Sequence, residues 1–385
     1  MSFRPCFRSL PSRHAALYDF VFVLEQTLGH VAHSLNIRRA LDQHRDSVRS
    51  TLIPIHYRRA SGLMAQVPGL RTWTYDAGLQ TRSALGRRLK EGPADAVFIH
   101  TQVAALLARS LMHRVPVVVS LDATPLNYDS QGPSYGHQKS SAAIEAFKLR
   151  LNQSVFHRAA ALVTWCQWAA DSLVNDYGVP KQKILVNHPG VDIRLFRPRK
   201  DARRLGAVRI LFVGGNFHRK GGADLLEAVR RLGPAVELDV VTGSSFEPPA
   251  GIVCRVHRGL GPQSPEIARL YREADIFTLP SRGDCFPQAV AEALASGLAI
   301  VASTTGAIPE MLQDGVNGHL VPPGDPRALA IALESLVLSS SLRRQMGLAS
   351  RRLAEREHDA DANNRRIIEL MVAVSGAGAQ EPRIA

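Results

Sequence analysis

The sequence predicts an α/β protein with two domains, each built on a parallel β-sheet that helices cover on both faces. The chain has 385 residues, which is more than a single hydrophobic core usually supports. Short apolar runs of strand length alternate with segments of helical periodicity in both halves, as is typical of parallel sheets. A glycine loop follows the first predicted strand of each half and precedes a helical pattern, as in Rossmann-like folds.

The first half supplies the strands of one sheet. Its apolar runs predict strands at 18–24, 51–56, 96–99, 115–121 and 160–165, and its periodic segments predict helices at 30–41, 101–113 and 142–156. The loop between the first strand and the first helix contains Gly29.

The second half repeats the alternation. Strands are predicted at 210–213, 238–241, 276–279 and 298–302, Asp325-Pro326 predicts a helix start, and 361–374 predicts the last helix. A segment rich in proline and arginine, 188–208, is typical of a linker. We therefore expect an N-terminal extension (1–16), a first domain (17–195), a linker (196–207), a second domain (208–356), a C-terminal helix (357–375) and a tail (376–385).

The composition limits the classes of function. A formal net charge of +13 favours an anionic partner, although a solvated basic surface is the alternative. Aromatic residues make up 6% of the chain and no nucleic-acid-binding motif accompanies the charge, so nucleic acid is not expected. The four cysteines form no paired spacing, and neither a leader peptide nor a membrane span is evident. We expect a cytoplasmic protein with peripheral contact to the anionic inner face of a membrane.

The loop after the strand at 210–213 has the composition of a phosphate-binding loop. Its sequence is GGNFHRKGG, in which glycines at 214, 215, 221 and 222 allow a close approach of the backbone to a ligand. Arg219 and Lys220 add two cations that would offset the charge of a departing diphosphate. A tight glycine turn with two solvated cations is the alternative interpretation.

A second candidate loop follows the strand at 276–279. Its sequence, SRGDCFPQAVAE, places Asp284 just outside a helix start and Glu292 about one and a half turns inside it. Unpaired amides at a helix start favour an anion, and the two carboxyl groups are suited to sugar and ribose hydroxyls. The alternative makes Asp284 a helix cap and Glu292 a solvated residue, but the apolar neighbours of Glu292 predict that it is buried.

These motifs resemble those of the retaining glycosyltransferases of family 4, which have the GT-B fold. The resemblance rests on VNHPGVDIRLFRP, FVGGNFHRKGG and LPSRGDCFPQAVAEALASGLAIVASTTGAIPE, in that order, along nearly the whole C-terminal half. The first half resembles the family more loosely, through its glycine loop and strand pattern. The resemblance implies two Rossmann-like domains that face each other across a cleft, with the donor bound by the second and the acceptor by the first. It also implies that the C-terminal helix (357–375) returns to the first domain.

The resemblance also implies roles for residues of the second half. The family's basic pair on the donor diphosphate corresponds to Lys220 and, because Gly215 stands where the family has its arginine, to Arg219. The family's paired glutamates correspond to Asp284, on the donor sugar, and to Glu292, on the ribose; Asp284 is the shorter acid. The other implied donor-binding residues are Gly214, Gly215, Cys285, Phe286 and Pro287.

Three residues of the first half are implied as site residues. Asp122 stands where the family often has a histidine, and it is suited to hold a sugar hydroxyl or to balance positive charge at the anomeric carbon. His100, at the end of the preceding strand, is the other catalytic candidate, with simple packing as its alternative. Gly29 is implied to lie near the diphosphate or the acceptor. His30 and His33 share a helix face, but no third ligand is evident, so no metal site is expected.

The predicted function is a retaining, metal-independent hexosyltransferase. It would move a sugar from a nucleoside diphosphate sugar to a hydroxyl of a glycan, a lipid-linked saccharide or a small molecule, with no cofactor besides the nucleotide sugar as co-substrate. A non-catalytic nucleotide-sugar or glycan-binding protein of the same fold is the alternative, motivated by the aspartates at 122 and 284. A phosphorylase or a sugar-nucleotide epimerase is a third hypothesis.

Overall fold

A computed structural model describes residues 17–27, 29–57, 73–136, 141–199, 206–248 and 250–377. The expected N-terminal extension, the linker residues 200–205 and the tail from 378 onwards lie outside the described residues. The chain divides into two compact units. The first unit is built from the described parts of Met1–Leu126, Lys139–His188 and Asp361–Ala385, and the second from those of Asn127–Gln138 and Pro189–Ala360.

The first unit contains a six-stranded sheet in which all neighbours pair in parallel. Its strands are β1 (Tyr18–Glu25), β2 (Val48–Ile55), β3 (Ala96–His100), β4 (Val117–Leu121), β5 (Ala161–Thr164) and β6 (Ile184–Val186). They lie in the order β2-β1-β3-β4-β5-β6. β1, β3, β4 and β5 are therefore neighbours, and the residues that follow them meet at one edge of the sheet.

Helices connect these strands. They are α1 (His30–Gln43), α2 (Trp73–Glu91), α3 (Gln102–Ala105), α4 (Pro125–Ser130), α5 (Gly132–Tyr135), α6 (Ala142–Arg158) and α7 (Gln167–Asn175). The helix expected at 101–113 is wrong as a single element, because α3 is followed by two separate 3₁₀ turns, Leu106–Ala108 and Leu111–His113. This segment packs tightly on α2: a Cβ at Gly78 would lie 2.9 Å from Cγ of Leu107.

The second unit contains another six-stranded parallel sheet. Its strands are β7 (Val208–Val213), β8 (Val236–Val241), β9 (Val253–His257), β10 (Ile276–Leu279), β11 (Ala299–Ser303) and β12 (Gly318–Val321), in the order β12-β11-β10-β7-β8-β9. Its helices are α8 (Gly222–Leu232), α9 (Pro265–Glu273), α10 (Gln288–Ala295), α11 (Ile308–Met311), α12 (Pro326–Leu338) and α13 (Ser340–Glu357). Because β7, β10 and β11 are adjacent, the loops after these strands lie side by side.

The last helix, α14 (Ala360–Ala377), packs on the sheet of the first unit. Ile367, Ile368 and Met371 are buried in one cluster with Phe22 and Phe98, which point from β1 and β3 to the same face of the sheet. Alternate residues of β1 and β3 point to the opposite face and pack with α2 and α6. The first sheet is thus covered on both faces, as expected for parallel strands.

The segment expected as a linker is in part an integral piece of the second unit. Phe196 is fully buried, and its ring meets the ring of Tyr271 at 5.4 Å. Nη1 of Arg351 donates to the carbonyls of Ile193 and Phe196, each at 3.0 Å. The content of proline and arginine describes the local chain but does not reveal contacts with residues far along the sequence.

Candidate functional site

The glycines of the loop after β7 permit its path. Gly221 has φ +80°, and a Cβ there would overlap the carbonyl oxygen of Pro280 at the end of β10. A Cβ at Gly222 would overlap the ring of Phe217. A Cβ at Gly215, by contrast, would have no other atom within 4 Å. The loop therefore passes directly against the end of β10, which places Arg219 and Lys220 beside the second candidate loop.

Lys220 and Asp284 form an ion pair. Nζ of Lys220 donates a hydrogen bond to Oδ2 of Asp284, and both side chains are largely buried. Burial lowers the pKa of Lys220, and the adjacent Asp284 carboxylate partly opposes this effect. Two residues predicted separately from their motifs are thus a single charged pair, and removal of one partner would leave the other buried and unpaired.

Arg219 is held in place by an aromatic ring and a carbonyl. Its guanidinium carbon lies 4.4 Å from the ring centroid of Tyr135, in a cation–π contact. Nη1 of Arg219 donates to the carbonyl of Gly283 at 2.6 Å. Tyr135 belongs to α5, whose residues group with the second unit, and sequence reasoning did not identify it. Arg219 and Lys220 therefore both contact the loop of Asp284.

Contacts from two neighbouring elements fix the 281–287 loop. Arg282 donates two hydrogen bonds to Asp224 of α8, at 2.9 and 2.6 Å, and this carboxylate raises the pKa of the guanidinium. Gly306 has φ +55°, and a Cβ there would overlap the carbonyl oxygen of Asp284. The amide of Ala307 donates to the carbonyl of Cys285 at 2.9 Å. The loop is thus supported from α8 on one side and from the loop after β11 on the other.

The start of α10 presents its positive end beside this loop. Pro287 is the N-cap and has extended φ/ψ, and no side chain caps the helix. The first turn contains no acidic residue, so the helix dipole is not neutralised locally. Cys285 and Phe286, which immediately precede the helix, are buried. This arrangement is suited to an anion near the amides of the first turn.

Glu292 is buried within α10, as the sequence predicts. It is 6% exposed, and burial raises its pKa from 4.5 to about 7, with an interaction with the Tyr271 hydroxyl acting in the opposite direction. That hydroxyl also lies 3.1 Å from the carbonyl of Ala289, to which it donates. Tyr271 was not identified from the sequence, because it is 21 residues away on α9.

A second polar cluster lies at the carboxyl edge of the sheet in the first unit. Nδ1 of His30, the first residue of α1, is 2.8 Å from Nε2 of His100 at the end of β3. Nε2 of His30 is 3.6 Å from Oε1 of Glu25 at the end of β1. The other carboxylate oxygen of Glu25 accepts a hydrogen bond from Thr101 Oγ1 at 2.9 Å. Gly29 is the exposed N-cap of α1.

Trp165 forms the floor of this cluster. The ring of His100 stacks on that of Trp165, with centroids 4.9 Å apart and planes 8° apart, and His33 contacts both rings edge-on. His100 is 1% exposed, so its imidazole contacts His30 instead of solvent. Asp122 directly follows β4 at the same edge and is half-buried. Sequence reasoning missed Glu25 and treated His30 solely as a metal-ligand candidate.

Within the described residues, no three or more His, Cys, Asp or Glu side chains are arranged to hold a metal ion. No helix in the described part of the chain is both long enough and apolar enough to cross a membrane.

Solved structures identify the fold as GT-B. Sucrose-phosphate synthase from Thermosynechococcus elongatus superposes with a TM-score of 0.75 at 15% identity, over 94% of this chain and 100% of that one. The Anabaena protein HepE in complex with UDP and glucose superposes with a TM-score of 0.69 at 17% identity, over 92% of this chain and 100% of that one. The two-domain, Rossmann-like architecture predicted from the sequence is therefore confirmed.

Sequence comparisons identify the family. Residues 29–195 match the family model described as Glycosyltransferase Family 4, and residues 207–339 match that of Glycosyl transferases group 1. The chain belongs to the family 4-like glycosyltransferases. It is 32% identical over 276 residues to D-inositol 3-phosphate glycosyltransferase 1 of Catenulispora acidiphila, covering 64% of each chain. It is 32% identical over 216 residues to MMP alpha-(1->4)-mannosyltransferase of Mycolicibacterium hassiacum, covering 54% of this chain and 52% of that one. Each match spans less than two thirds of the relative's length.

Proposed function

We propose that this chain is a retaining hexosyltransferase that moves a sugar from a nucleoside diphosphate sugar to an acceptor hydroxyl. The observation that supports this most directly is the placement of Arg219 and Lys220 against the loop of Asp284, beside the start of α10. Two cations and a helix start are the groups that bind a diphosphate. Membership of the family 4-like glycosyltransferases and the names of the relatives give independent support.

The proposed donor site uses residues of the second unit. The glycines at 214 and 215 allow the diphosphate to approach the loop, and Lys220 and Arg219 balance its charge. Asp284, through the oxygen that Lys220 does not contact, accepts hydrogen bonds from the sugar, and Glu292 accepts them from the ribose. The backbone of Cys285, Phe286 and Pro287 borders the sugar and the phosphates.

The proposed reaction proceeds on one face of the sugar. The bond between the anomeric carbon and the diphosphate oxygen breaks, and its electron pair remains on the diphosphate. The acceptor oxygen forms the new bond from the same face, and its proton passes to an oxygen of the leaving phosphate. We propose metal-independent chemistry without a further cofactor because Lys220 and Arg219 supply the positive charge that stabilises the leaving group.

The acceptor is proposed to bind to the first unit near Gly29, His100 and Asp122. A glycan, a lipid-linked saccharide or a small molecule fits the proposal, and D-inositol 3-phosphate belongs in the first panel because a relative is named for it. We also propose a cytoplasmic location with peripheral contact to an anionic membrane face, supported by the net charge of +13. Co-sedimentation with anionic vesicles at low salt that disappears at high salt would support this contact.

A thermal-shift screen of nucleoside diphosphate sugars tests the donor site. A ligand at 100 times its dissociation constant stabilises a protein by about 2.7 kcal/mol, so a true donor will produce a clear upward shift. The corresponding free sugars, which lack the diphosphate, serve as controls. The absence of a shift with every nucleotide sugar at millimolar concentration would contradict the proposal.

A non-catalytic nucleotide-sugar or glycan-binding protein is the second candidate function. One observation that favours it is Asp122 at the position where the family often has a histidine. Another is the ion pair between Asp284 and Lys220, because it occupies a carboxylate that the donor sugar would otherwise contact. Calorimetric binding of a donor without turnover across a broad acceptor panel would support it. Product analysis with free phosphate in place of an alcohol would identify a phosphorylase, and conversion of the donor sugar to its epimer would identify an epimerase.

A further inference from the structure

A short segment of the first half of the chain lies on the 281–287 loop. Residues 127–136, which we call the 127–136 segment, follow β4 and contain the end of α4 and all of α5. They nevertheless group with the second unit. The proposed donor chemistry uses none of their side chains. A segment that packs on a loop of the donor site is, however, in a position to influence how the donor binds.

Gly283 allows the 127–136 segment to approach the loop closely. A Cβ at Gly283 would lie 2.5 Å from Cβ of Ser134, which is closer than two nonbonded carbon atoms can approach. The φ of Gly283 lies outside the left-handed region, so its backbone would accept other residues. Oγ of Ser134 donates to the carbonyl of Arg282 at 2.5 Å. The missing side chain at Gly283 therefore serves the contact with Ser134 and not a turn of the backbone.

Tyr135 is the residue of the segment that contacts the candidate donor site. The guanidinium carbon of Arg219 lies 4.4 Å from the centroid of its ring. Its hydroxyl is 3.9 Å from Sγ of the buried Cys285, which lies just before α10. The ring of Tyr128 packs on that of Tyr135, with centroids 4.5 Å apart. The ring of Tyr135 is thus supported within its own segment and touches both candidate donor-binding loops.

The contact with Tyr135 restrains the Arg219 guanidinium. The face of an aromatic ring attracts a cation, and the attraction is stronger when the two groups are partly removed from water, as these half-buried side chains are. Nη1 of Arg219 also donates to the carbonyl of Gly283 at 2.6 Å. A guanidinium has five N–H groups, so a single bond of this kind does not exhaust its donors. Because the side chain is already restrained, it loses less rotamer entropy when it binds an anion.

We propose that Tyr135 is a positioning residue that holds the Arg219 guanidinium ready for the diphosphate of the donor, and that Gly283 is required because it admits the segment that carries Tyr135. The positioning role rests on the proposed function, which assigns Arg219 to the diphosphate, whereas the contact itself does not. A ring that instead withheld Arg219 from the donor would have the opposite effect, because its removal would strengthen binding. The direction of the change therefore decides between the two.

A double-mutant cycle on binding tests the positioning role. Tyr135→Leu removes the ring, and Arg219→Met removes the charge. Inorganic pyrophosphate is the probe, titrated calorimetrically into the full chain at low salt. We expect Tyr135→Leu to weaken binding about fivefold or more in the wild-type background and to have no further effect in the Arg219→Met background. Unchanged or tighter binding by Tyr135→Leu, or equal weakening in both backgrounds, would overturn the proposal.

Tyr135→Phe is the matched control for the ring. Phenylalanine retains the aromatic face and loses just the hydroxyl near Cys285, so pyrophosphate binding should stay within about twofold of that of the wild type. A loss of binding as large as that in Tyr135→Leu would show that the hydroxyl is required, and it would overturn the explanation by the cation–π contact.

Gly283→Ala tests the docking of the segment without a change to Tyr135 or Arg219. The new Cβ would displace Ser134, so pyrophosphate binding should weaken as in Tyr135→Leu. Ser134→Gly in the same chain removes the Cβ and the hydroxyl that the new atom would meet, and binding should recover. Gly261→Ala is the control, because a Cβ there would have no neighbour within 4 Å. Undiminished binding in Gly283→Ala, or no recovery in the double variant, would overturn the requirement for Gly283.

The ligand-free protein separates the contact from the function. In protein labelled with ¹⁵N-arginine, the ring current of Tyr135 should displace the Nε–H signal of Arg219, which is identified by its loss in Arg219→Met. The displacement should persist in Tyr135→Phe and disappear in Tyr135→Leu, and an unchanged signal in Tyr135→Leu would overturn the contact. A displaced signal in a wild type that binds neither pyrophosphate nor any nucleoside diphosphate sugar would contradict the proposed function. Pyrophosphate binding that does not depend on Tyr135 would overturn the positioning role alone.

Discussion

Replacement of Glu292 by glutamine should change the pH dependence of stability by a predictable amount. Burial raises the pKa of this carboxyl from 4.5 to about 7 in the folded chain. Between these values the folded state binds more protons than the unfolded state, so stability falls as pH rises through this window and is constant above it. At 1.36 kcal/mol per pH unit, the loss amounts to about 3 kcal/mol, of which about 2.5 kcal/mol falls between pH 5 and pH 8.

Glu292→Gln lacks this titration. Urea denaturation of both proteins, monitored by far-UV circular dichroism, gives their free energies of unfolding at pH 5 and pH 8. From pH 5 to pH 8, the free energy of unfolding of the variant should fall by about 2.5 kcal/mol less than that of the wild type. Any fixed cost of the new amide cancels, because it is present at both pH values. Equal pH dependence in the two proteins would refute the reasoning. If Glu292 binds the ribose, the affinity of the wild type for the donor should also rise as the pH increases through 7, because the carboxyl group loses its proton. The affinity of the variant should show no such rise.

Three further predictions concern the second unit. Lys220→Met and Asp284→Asn should each destabilise the second unit by about 3–5 kcal/mol. The double variant should be destabilised less than either single variant, because it leaves no buried charge unpaired. A double-mutant cycle that shows no coupling between the two positions would contradict this. Gly221→Ala should lower the free energy of unfolding by at least about 3 kcal/mol, whereas Gly215→Ala should change it by no more than about 0.5 kcal/mol. Equal melting temperatures of the two variants would show that the loop path is not constrained at 221. Asp325→Ala should cost about 1 kcal/mol, because Asp325 caps α12 by accepting from the amides of residues 327 and 328, and retention of full stability would contradict the capping role.

Much of the fold could be predicted because its signals are local. Apolar runs and following glycines located β1, β7, β10 and β11 to within two residues, and Asp325 caps α12 as its sequence predicts. The strands β6, β9 and β12 were not predicted. β6 has just three residues and β9 is largely half-exposed, so neither has the continuous apolar run of a central strand.

Two other differences from the sequence-based expectations share one cause, which is packing between residues distant in sequence. The segment 101–113 has helical periodicity, but it packs against α2 as a four-residue helix followed by two 3₁₀ turns. Tertiary packing therefore outweighs the local helix propensity of this segment. The expected linker is held by the burial of Phe196 and by Arg351, which no local pattern reveals.

The candidate site shows the same division. Motif spacing identified Lys220, Asp284 and Glu292 as separate candidates, because loops at the carboxyl ends of parallel strands have recognisable composition. It did not reveal that Lys220 and Asp284, 64 residues apart, form an ion pair. Nor did it associate His30 with His100, 70 residues away, since their contact depends on the neighbouring positions of β1 and β3.

The most direct test of the account is the stereochemistry of sugar transfer. The full chain, incubated with the nucleoside diphosphate sugar that stabilises it and with the acceptor panel, is followed by ¹H NMR of the anomeric protons. We predict release of the nucleoside diphosphate together with a product that has the anomeric configuration of the donor, and loss of both in the Lys220→Met, Asp284→Asn double variant. Formation of a product with inverted configuration, or undiminished transfer by the double variant, would contradict the proposed site and mechanism.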